Sequence, residues 1–418
     1  MKPLVLVTGP PATRSGYGAH TRDLIHSLLR MDKFEVKINS LRWGNTPMNA
    51  LNAENPKDKL IIDRLLKENS MDRQPDIHFQ ISVPNEFTPV GKYNIGITAG
   101  IENTAPKAEW VEGLNRMDMN IAVSHFVKNT FQALVYDKLN DQQQKIGELR
   151  LVKPMEVLFE GVDLDIYKKT KDFSKELVDE MNKIEEKFLF LYTGHWLQGD
   201  LGEDRKDTGM LVKTFLETFK NKKRPPALLL KTSGATFSIL DRNSMLEKIN
   251  EIKLKVKGKA HITFTHGEGF GRPLLEACFS EKPIIAPDWS GQKDFLNKNN
   301  AVLLPGGLID VHPSAVPKEM LQEGAKWFSV NYQYAGQIMF KVFKQYKQFT
   351  MAAKRLSMAN RAFSLENMDK KFEEILNKCL PKFEEQPMPV SLKLPKLKKV
   401  SKPAEAPKMN LPKLKKVK

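Results

Sequence analysis

The feature that most constrains this chain is an alternation that runs through it twice. In the first series, the apolar run LVLV at 4–7 and the runs FEVKINS, DIHFQISV, KYNIGIT, MNIAVS and MEVLFEGV have strand character. Helical runs lie between several of them. Leu24, Ile25, Leu28 and Leu29 recur at helical spacing, and WVEGLNRM and HFVKNTFQALV come later. The second series comprises FLFLYTGHW, DTGMLVKTFLETFK with Asp207 or Thr208 as cap, PALLLKTSG, RNSMLEKINEIKLKVK, AHITFTHGEGFG and KPIIAP. Strand and helix in alternation imply a parallel sheet covered on both faces. Two series imply two such α/β domains, at 1–165 and 172–350, with the linker near Gly161–Lys171. Residues 351–383 are expected as terminal helices placed to pack back on the first domain, the last capped at Ser364 and stopped by Pro381.

Charge separates this body from the C-terminal stretch. The formal net charge is +16, and residues 391–418 supply +9 of it, with ten lysines against Glu405. Rich in Pro and Lys, residues 384–418 are expected to be disordered. They hold LPKLKKV twice, at 394–400 and 411–417. This tail is either a tether to an anionic surface or nucleic acid, or a solubilising extension. Two cysteines, Cys278 and Cys379, argue against a disulfide scaffold. The opening apolar run is too short for a secretory signal, and no run is long enough to span a membrane. The expected location is cytoplasmic.

The chemistry concentrates in THGEGFGRPLLEAC, Thr265 to Cys278. Ligands of open parallel sheets bind beyond the carboxyl ends of strands, where this loop falls. Pro273 suits a first helical turn. The N–H groups of Gly269, Phe270 and Gly271 would then serve a phosphate at a helix N-terminus. Glu268 and Glu276 would repel phosphate and suit sugar hydroxyls, because an ionised carboxylate only accepts. On composition alone the stretch is equally a glycine-rich turn before an ordinary helix, with Glu276 favourable to its dipole.

EGFGRPLLE resembles the E-x7-E signature of retaining GT-B glycosyltransferases of the family-4 type (glycosyl transferases group 1), departing from it only at Arg272. Other stretches resemble the family in the same order. They are VSHFVKNTF at 123–131, EVLFEGVDLDIY at 156–167 with Glu160 in place of Asn, WSGQKDFL at 289–296, and GITAGIENTA at 96–105. The resemblance implies a GT-B fold, two Rossmann-like domains with an interdomain cleft. It implies that Glu268 contacts the transferred sugar, that Glu276 binds the nucleotide ribose, and that the amides of Gly269, Phe270 and Gly271 hold the diphosphate. In GHWLQGDLGEDRKDTG, Lys206 matches a family lysine that neutralises the diphosphate; Arg205 is adjacent, and His195 stands where relatives often carry Arg. Lys231, at a strand end, is a further diphosphate candidate or a surface lysine. TGPPATRSGYGAH resembles the glycine-bearing loop bordering donor and acceptor, where Gly16 and Gly18 would permit a tight turn. Glu102 and His125 fall on the acceptor side, though a histidine near a helix start is also a cap.

The function so implied is transfer of a sugar from a nucleoside-diphosphate sugar to a hydroxyl acceptor, with retention and without a metal. No cofactor is expected beyond the donor substrate. DLD at 163–165 mimics a metal motif, but it lies in the linker, and the histidines show no ligand spacing. Two alternatives stand beside this reading. One is a glycosyltransferase acting on nucleic acid; the other is a non-catalytic GT-B-like protein that binds through its basic tail. Relatives place a further strand and helix before the signature, and here KLKVKGKAHITFTHGEG takes their place. That leaves the nucleotide base open.

Overall fold

The first half is built on a six-stranded parallel sheet whose central strands are buried along almost their whole length, polar residues such as His78, Gln80 and Asn120 included. In the computed structural model, which describes residues 2–68, 71–234, 238–256, 268–315 and 320–383, this half contains β1 (Leu4–Gly9), α1 (Gly16–Met31), β2 (Glu35–Ser40), α2 (Pro56–Ile62), β3 (Ile77–Ile81), β4 (Tyr93–Thr98), α3 (Ala108–Arg116), β5 (Met119–Ala122), α4 (His125–Ala133), β6 (Val135–Leu139), β7 (Lys145–Arg150) and β8 (Met155–Val157). The sheet order is β2-β1-β3-β4-β5-β8. Every residue of β1, β3 and β5 is buried, as strands covered on both faces must be. Ser15 starts α1 by accepting the Gly18 N–H, and Leu24, Ile25 and Leu28 turn inward. The helix stops at Asp32, which adopts a left-handed φ of 52°.

The second half contains α5 (Lys175–Asn182), β9 (Leu189–Thr193), α6 (Thr208–Phe219), β10 (Ala227–Lys231), α7 (Ile239–Val256), α8 (Arg272–Cys278), β11 (Ile285–Pro287), β12 (Val302–Leu304), β13 (Gly306–Asp310), β14 (Lys326–Val330), α9 (Tyr332–Lys344), α10 (Tyr346–Ala359) and α11 (Leu365–Cys379). Strands β9–β10 and β11–β12 pair parallel, and β13–β14 form an antiparallel ribbon. The strand expected at AHITFTH and the shortened connection before it fall largely within 257–267, outside the described residues, as does the tail 384–418.

Three local expectations need correction. The helix read through Val135 ends at Ala133, and Val135 instead begins an antiparallel hairpin, β6–β7. Asp207 precedes α6 but does not cap it: its carboxylate accepts the Tyr332 hydroxyl at 2.7 Å. Asp204 takes the capping role, accepting from Thr208 N–H at 3.2 Å and Gly209 N–H at 3.3 Å. Glycines 16 and 18 both lie in the first turn of α1 and neither has a left-handed φ. A Cβ on Gly18 would lie 2.3 Å from Thr13 O, whereas Gly16 is exposed with open space around it. Crowding, not a tight turn, demands glycine at 18.

The final helix returns to the first half. Ser364 caps α11 through the Asn367 N–H, and Met368, Phe372, Ile375 and Leu376 are buried with Phe79 and the α1 leucines. Arg30 clasps Asp369 with two hydrogen bonds of 2.6 and 2.7 Å. Gly161 in the linker is needed for this return, since a Cβ there would sit 2.7 Å from Leu365 Cα. A second core crosses between the halves, joining Trp110, Val111 and Phe131 to Phe270, Leu275 and Phe295.

Candidate active site

The loop at 268–271 is fixed by its backbone. Glu268 N–H donates to Ser290 Oγ at 2.8 Å, and Glu268 O accepts from Gly291 N–H at 2.9 Å. Ser290 adopts φ 65°, a left-handed value unusual for a residue with a side chain. A Cβ on Gly291 would meet Gly269 O at 1.9 Å, and one on Gly269 would meet Ala99 O of the first half at 2.4 Å. Ser124, also from the first half, donates to Gly269 O at 2.6 Å. The loop is thus wedged between two backbones, and glycine alone fits.

Phe270 is 2% exposed and packs on Phe295 at 5.2 Å, so only its backbone remains for a ligand. Gly271, at φ 94°, turns the chain into α8 with Pro273 in the first turn. Among the described residues, the N–H groups of Gly269, Phe270 and Gly271 donate to no group. Such free amides at the start of a helix suit an anion.

Two cations meet this loop from the segment between β9 and α6. Lys206 Nζ lies 2.6 Å from Glu268 Oε1 and 3.8 Å from Glu102 Oε1, and Arg205 Nη1 lies 2.5 Å from Glu102 Oε1. Glu102 comes from the first half, on the loop after β4, and that loop is tied to β14 by Thr104 N–H to Lys326 O and Lys326 N–H to Thr104 Oγ. Burial pushes the Glu102 carboxyl up, but Arg205 and Lys206 outweigh burial and hold it below its ordinary range. The same pairing holds the Arg205 guanidinium above its ordinary value, with Glu102 the larger influence. Burial, and then the nearby Arg205 and Lys206, lower the proton affinity of His195, whose Nδ1 lies 3.1 Å from Ser233 Oγ.

The structure therefore gathers Glu268, Lys206, Arg205, Glu102 and the amides of Gly269, Phe270 and Gly271. Glu276 lies one turn into α8, with Oε1 3.0 Å from Arg272 Nε. Three of the residues read from sequence make no hydrogen bond or ion pair with this group among the described residues. Lys231 is exposed at the end of β10, and Gly16 is exposed at the start of α1. His125 opens α4, exposed, with Nδ1 3.2 Å from Oδ2 of the largely buried Asp294. Sequence reasoning assigned no role to Ser124, Ser290 or Gly291, although VSHFVK and WSGQKD contain them. Their backbone contacts are long-range and leave no periodic trace. Among the described residues, no group of three His, Cys, Asp or Glu side chains is placed to hold a metal ion, and no helix is long and apolar enough to cross a membrane.

No family model matches the sequence, nor does any curated protein. Solved structures do match. HepE from Anabaena, in complex with UDP and glucose, shares 12% identity over 90% of this chain and 100% of its own, with a TM-score of 0.58. Sucrose-phosphate synthase from Thermosynechococcus elongatus shares 12% identity over 90% of this chain and 99% of its own, at 0.57. A glycosyltransferase from Rickettsia africae shares 16% identity over 91% of this chain and 100% of its own, at 0.54. At these identities the likeness is one of fold, and it is the two-part α/β architecture that the signature implied.

Proposed function

We propose, with the GT-B fold of this chain as premise, that it moves a sugar from a nucleoside-diphosphate donor to a hydroxyl acceptor. The observation that carries the reading is that Lys206 pairs with Glu268, that Arg205 and Lys206 share Glu102, and that the amides of 269–271, which donate to no group among the described residues, follow Glu268 directly in the chain. Two cations beside Glu268 and Glu102, together with three N–H groups at the start of α8, offer a seat for a leaving diphosphate with a sugar contact at its edge. The structures of HepE contain UDP and glucose, which makes UDP-glucose the first donor to test.

In this reading the diphosphate takes its charge compensation from Arg205, Lys206 and the loop amides, a role that needs no metal. Glu268, its backbone held by Ser290, orients the sugar and supports positive charge developing at the anomeric carbon. The acceptor hydroxyl attacks the face the diphosphate leaves, a diphosphate oxygen takes its proton, and the anomeric configuration is retained. Glu102 supplies the acceptor-side carboxylate, and Glu276 accepts from the ribose.

Glu268→Ala tests the assignment. Transfer, and hydrolysis of the donor without acceptor, should both vanish. Thermal stabilisation by UDP should survive, at ~2.7 kcal/mol for a ligand at 100 times its Kd. Full transfer activity in this variant refutes the role given to Glu268.

A further inference from the structure

The signature departs from the family pattern at Arg272, and the structure gives this side chain two partners. Its Nη1 lies 2.5 Å from Asp23 Oδ2 on α1, and its Nε lies 3.0 Å from Glu276 Oε1 one turn along α8. All three side chains are largely buried, between 17% and 20% exposed. Asp23 belongs to the first half and the other two to the second, so this line of charge links them. A second departure faces the same guanidinium. Glu160 stands where the family carries Asn, is 8% exposed, and makes no side-chain hydrogen bond among the described residues. The charged groups acting on it are Arg272, Asp23, Glu276 and Glu268.

Arg272 is thus the cation among three carboxyls, those of Asp23, Glu160 and Glu276. Burial alone would lower its affinity for the proton, but Asp23, Glu160 and Glu276 together raise it, so the guanidinium is firmly charged. A leucine here would remove both tethers and leave the carboxyls facing one another. The Arg272 N–H on Oε1 and the neighbouring Tyr167 hydroxyl use only part of the carboxylate's accepting capacity, so Glu276 keeps lone pairs for a ligand's hydroxyls. A planar guanidinium contacting two carboxylates at once also fixes direction, which a lysine ammonium does less well.

We propose that Arg272 is a positioning residue for Glu276: held by Asp23 across the seam, it orients the Glu276 carboxylate to accept the ribose hydroxyls of a nucleoside diphosphate. The inference rests on the nucleotide-donor reading above. Because Asp23 comes from α1, ribose recognition depends on the two halves being in contact.

The test uses the full chain and titration calorimetry. UDP, GDP and ADP are compared with their 2′-deoxy and 2′,3′-dideoxy forms, in the natural protein and in the variants R272L, R272K and D23N. The natural protein should prefer the ribose form about tenfold or more, the range of a hydrogen bond to a charged group. R272L should bring that preference within about threefold while leaving the dideoxy affinity nearly unchanged. R272K should recover part of the preference, and D23N should fall between. Thermal unfolding checks that each variant folds; should R272L fail, D23N and R272K carry the same comparison. The inference is overturned by a variant that binds with an unaltered ribose preference, or that weakens ribose and dideoxy forms equally. Failure of the natural protein to bind any of the three diphosphates instead overturns the donor reading, and this inference with it.

Discussion

Replacing Glu160 by Gln should make the protein more stable at high pH and leave it little changed at low pH. Burial pushes the Glu160 carboxyl up from 4.5 to about 7; Arg272 opposes the shift, while Asp23, Glu276 and Glu268 add to it. A carboxyl whose folded value lies above its unfolded one costs stability once the unfolded chain ionises and the folded one resists. The cost is absent below about pH 4.5, grows between 4.5 and 7, and is complete above 7. At about 1.36 kcal/mol per unit, the full cost is about 3 kcal/mol. Gln keeps the shape and removes the ionisation. For a unit spanning Lys2–Phe383, the unfolding entropy is roughly 0.8 kcal/mol/K, so the difference in Tm should grow by about 4 °C between pH 4.5 and 8. The natural profile alone is a poor assay. Burial holds His20 near 3, helped by Arg272, and holds His78 near 4. Both lose stability as pH falls below 6.5, the opposite slope. They cancel in the difference between variant and natural protein, measured by thermal unfolding in matched buffers. A flat difference across this window, or one that shrinks as pH rises, refutes the account of Glu160.

Two further predictions concern packing. Gly269→Ala forces a methyl to 2.4 Å from Ala99 O, a backbone atom that cannot swing away, and should cost about 1–3 kcal/mol together with a loss of UDP affinity; unfolding and titration read the two effects. Phe372→Ala removes a fully buried ring packed edge-on at 5.8 Å from Phe79 and should cost about 3–5 kcal/mol in denaturant unfolding. A loss below about 1 kcal/mol would mean that α11 contributes little to the first half.

The strands of the first half were legible because short runs rich in Val, Ile and Phe recur between helical stretches, and α1 because the spacing of Leu24, Ile25, Leu28 and Leu29 marks its buried face. The β6–β7 hairpin was not. Its strands carry Lys138, Lys145, Glu148 and Arg150 on exposed positions, so the apolar signal of a buried strand is missing and the preceding helix period runs on into it. The loop amides and Glu268 are legible from the glycine-broken loop before a helix and Lys206 only through the resemblance, and the structure pairs Lys206 with Glu268. The supports of that loop were not legible, because the Ala99 carbonyl and the Ser124 and Ser290 hydroxyls meet its backbone at sequence separations that carry no pattern. Asp207 shows the converse failure. Its local pattern suits a cap, but Tyr332, far along the chain, takes its carboxylate, and Asp204 caps instead.

The cations at the candidate diphosphate seat are not waiting with empty coordination. Lys206 already holds Glu268, and Arg205 already holds Glu102. On the proposed reading an arriving diphosphate exchanges one anionic partner for another, so its affinity is the difference between two pairings and not the sum of new contacts. The exchange is unequal in one respect. Glu102 is buried and kept ionised by those same cations, so drawing Arg205 toward a phosphate leaves a carboxylate that must either keep Lys206, find a hydroxyl or take up a proton. An acceptor hydroxyl in the first half meets that need. On the proposed reading the two substrates are coupled through one carboxylate: the donor withdraws a cation from Glu102, and the acceptor supplies the hydrogen bond that replaces it.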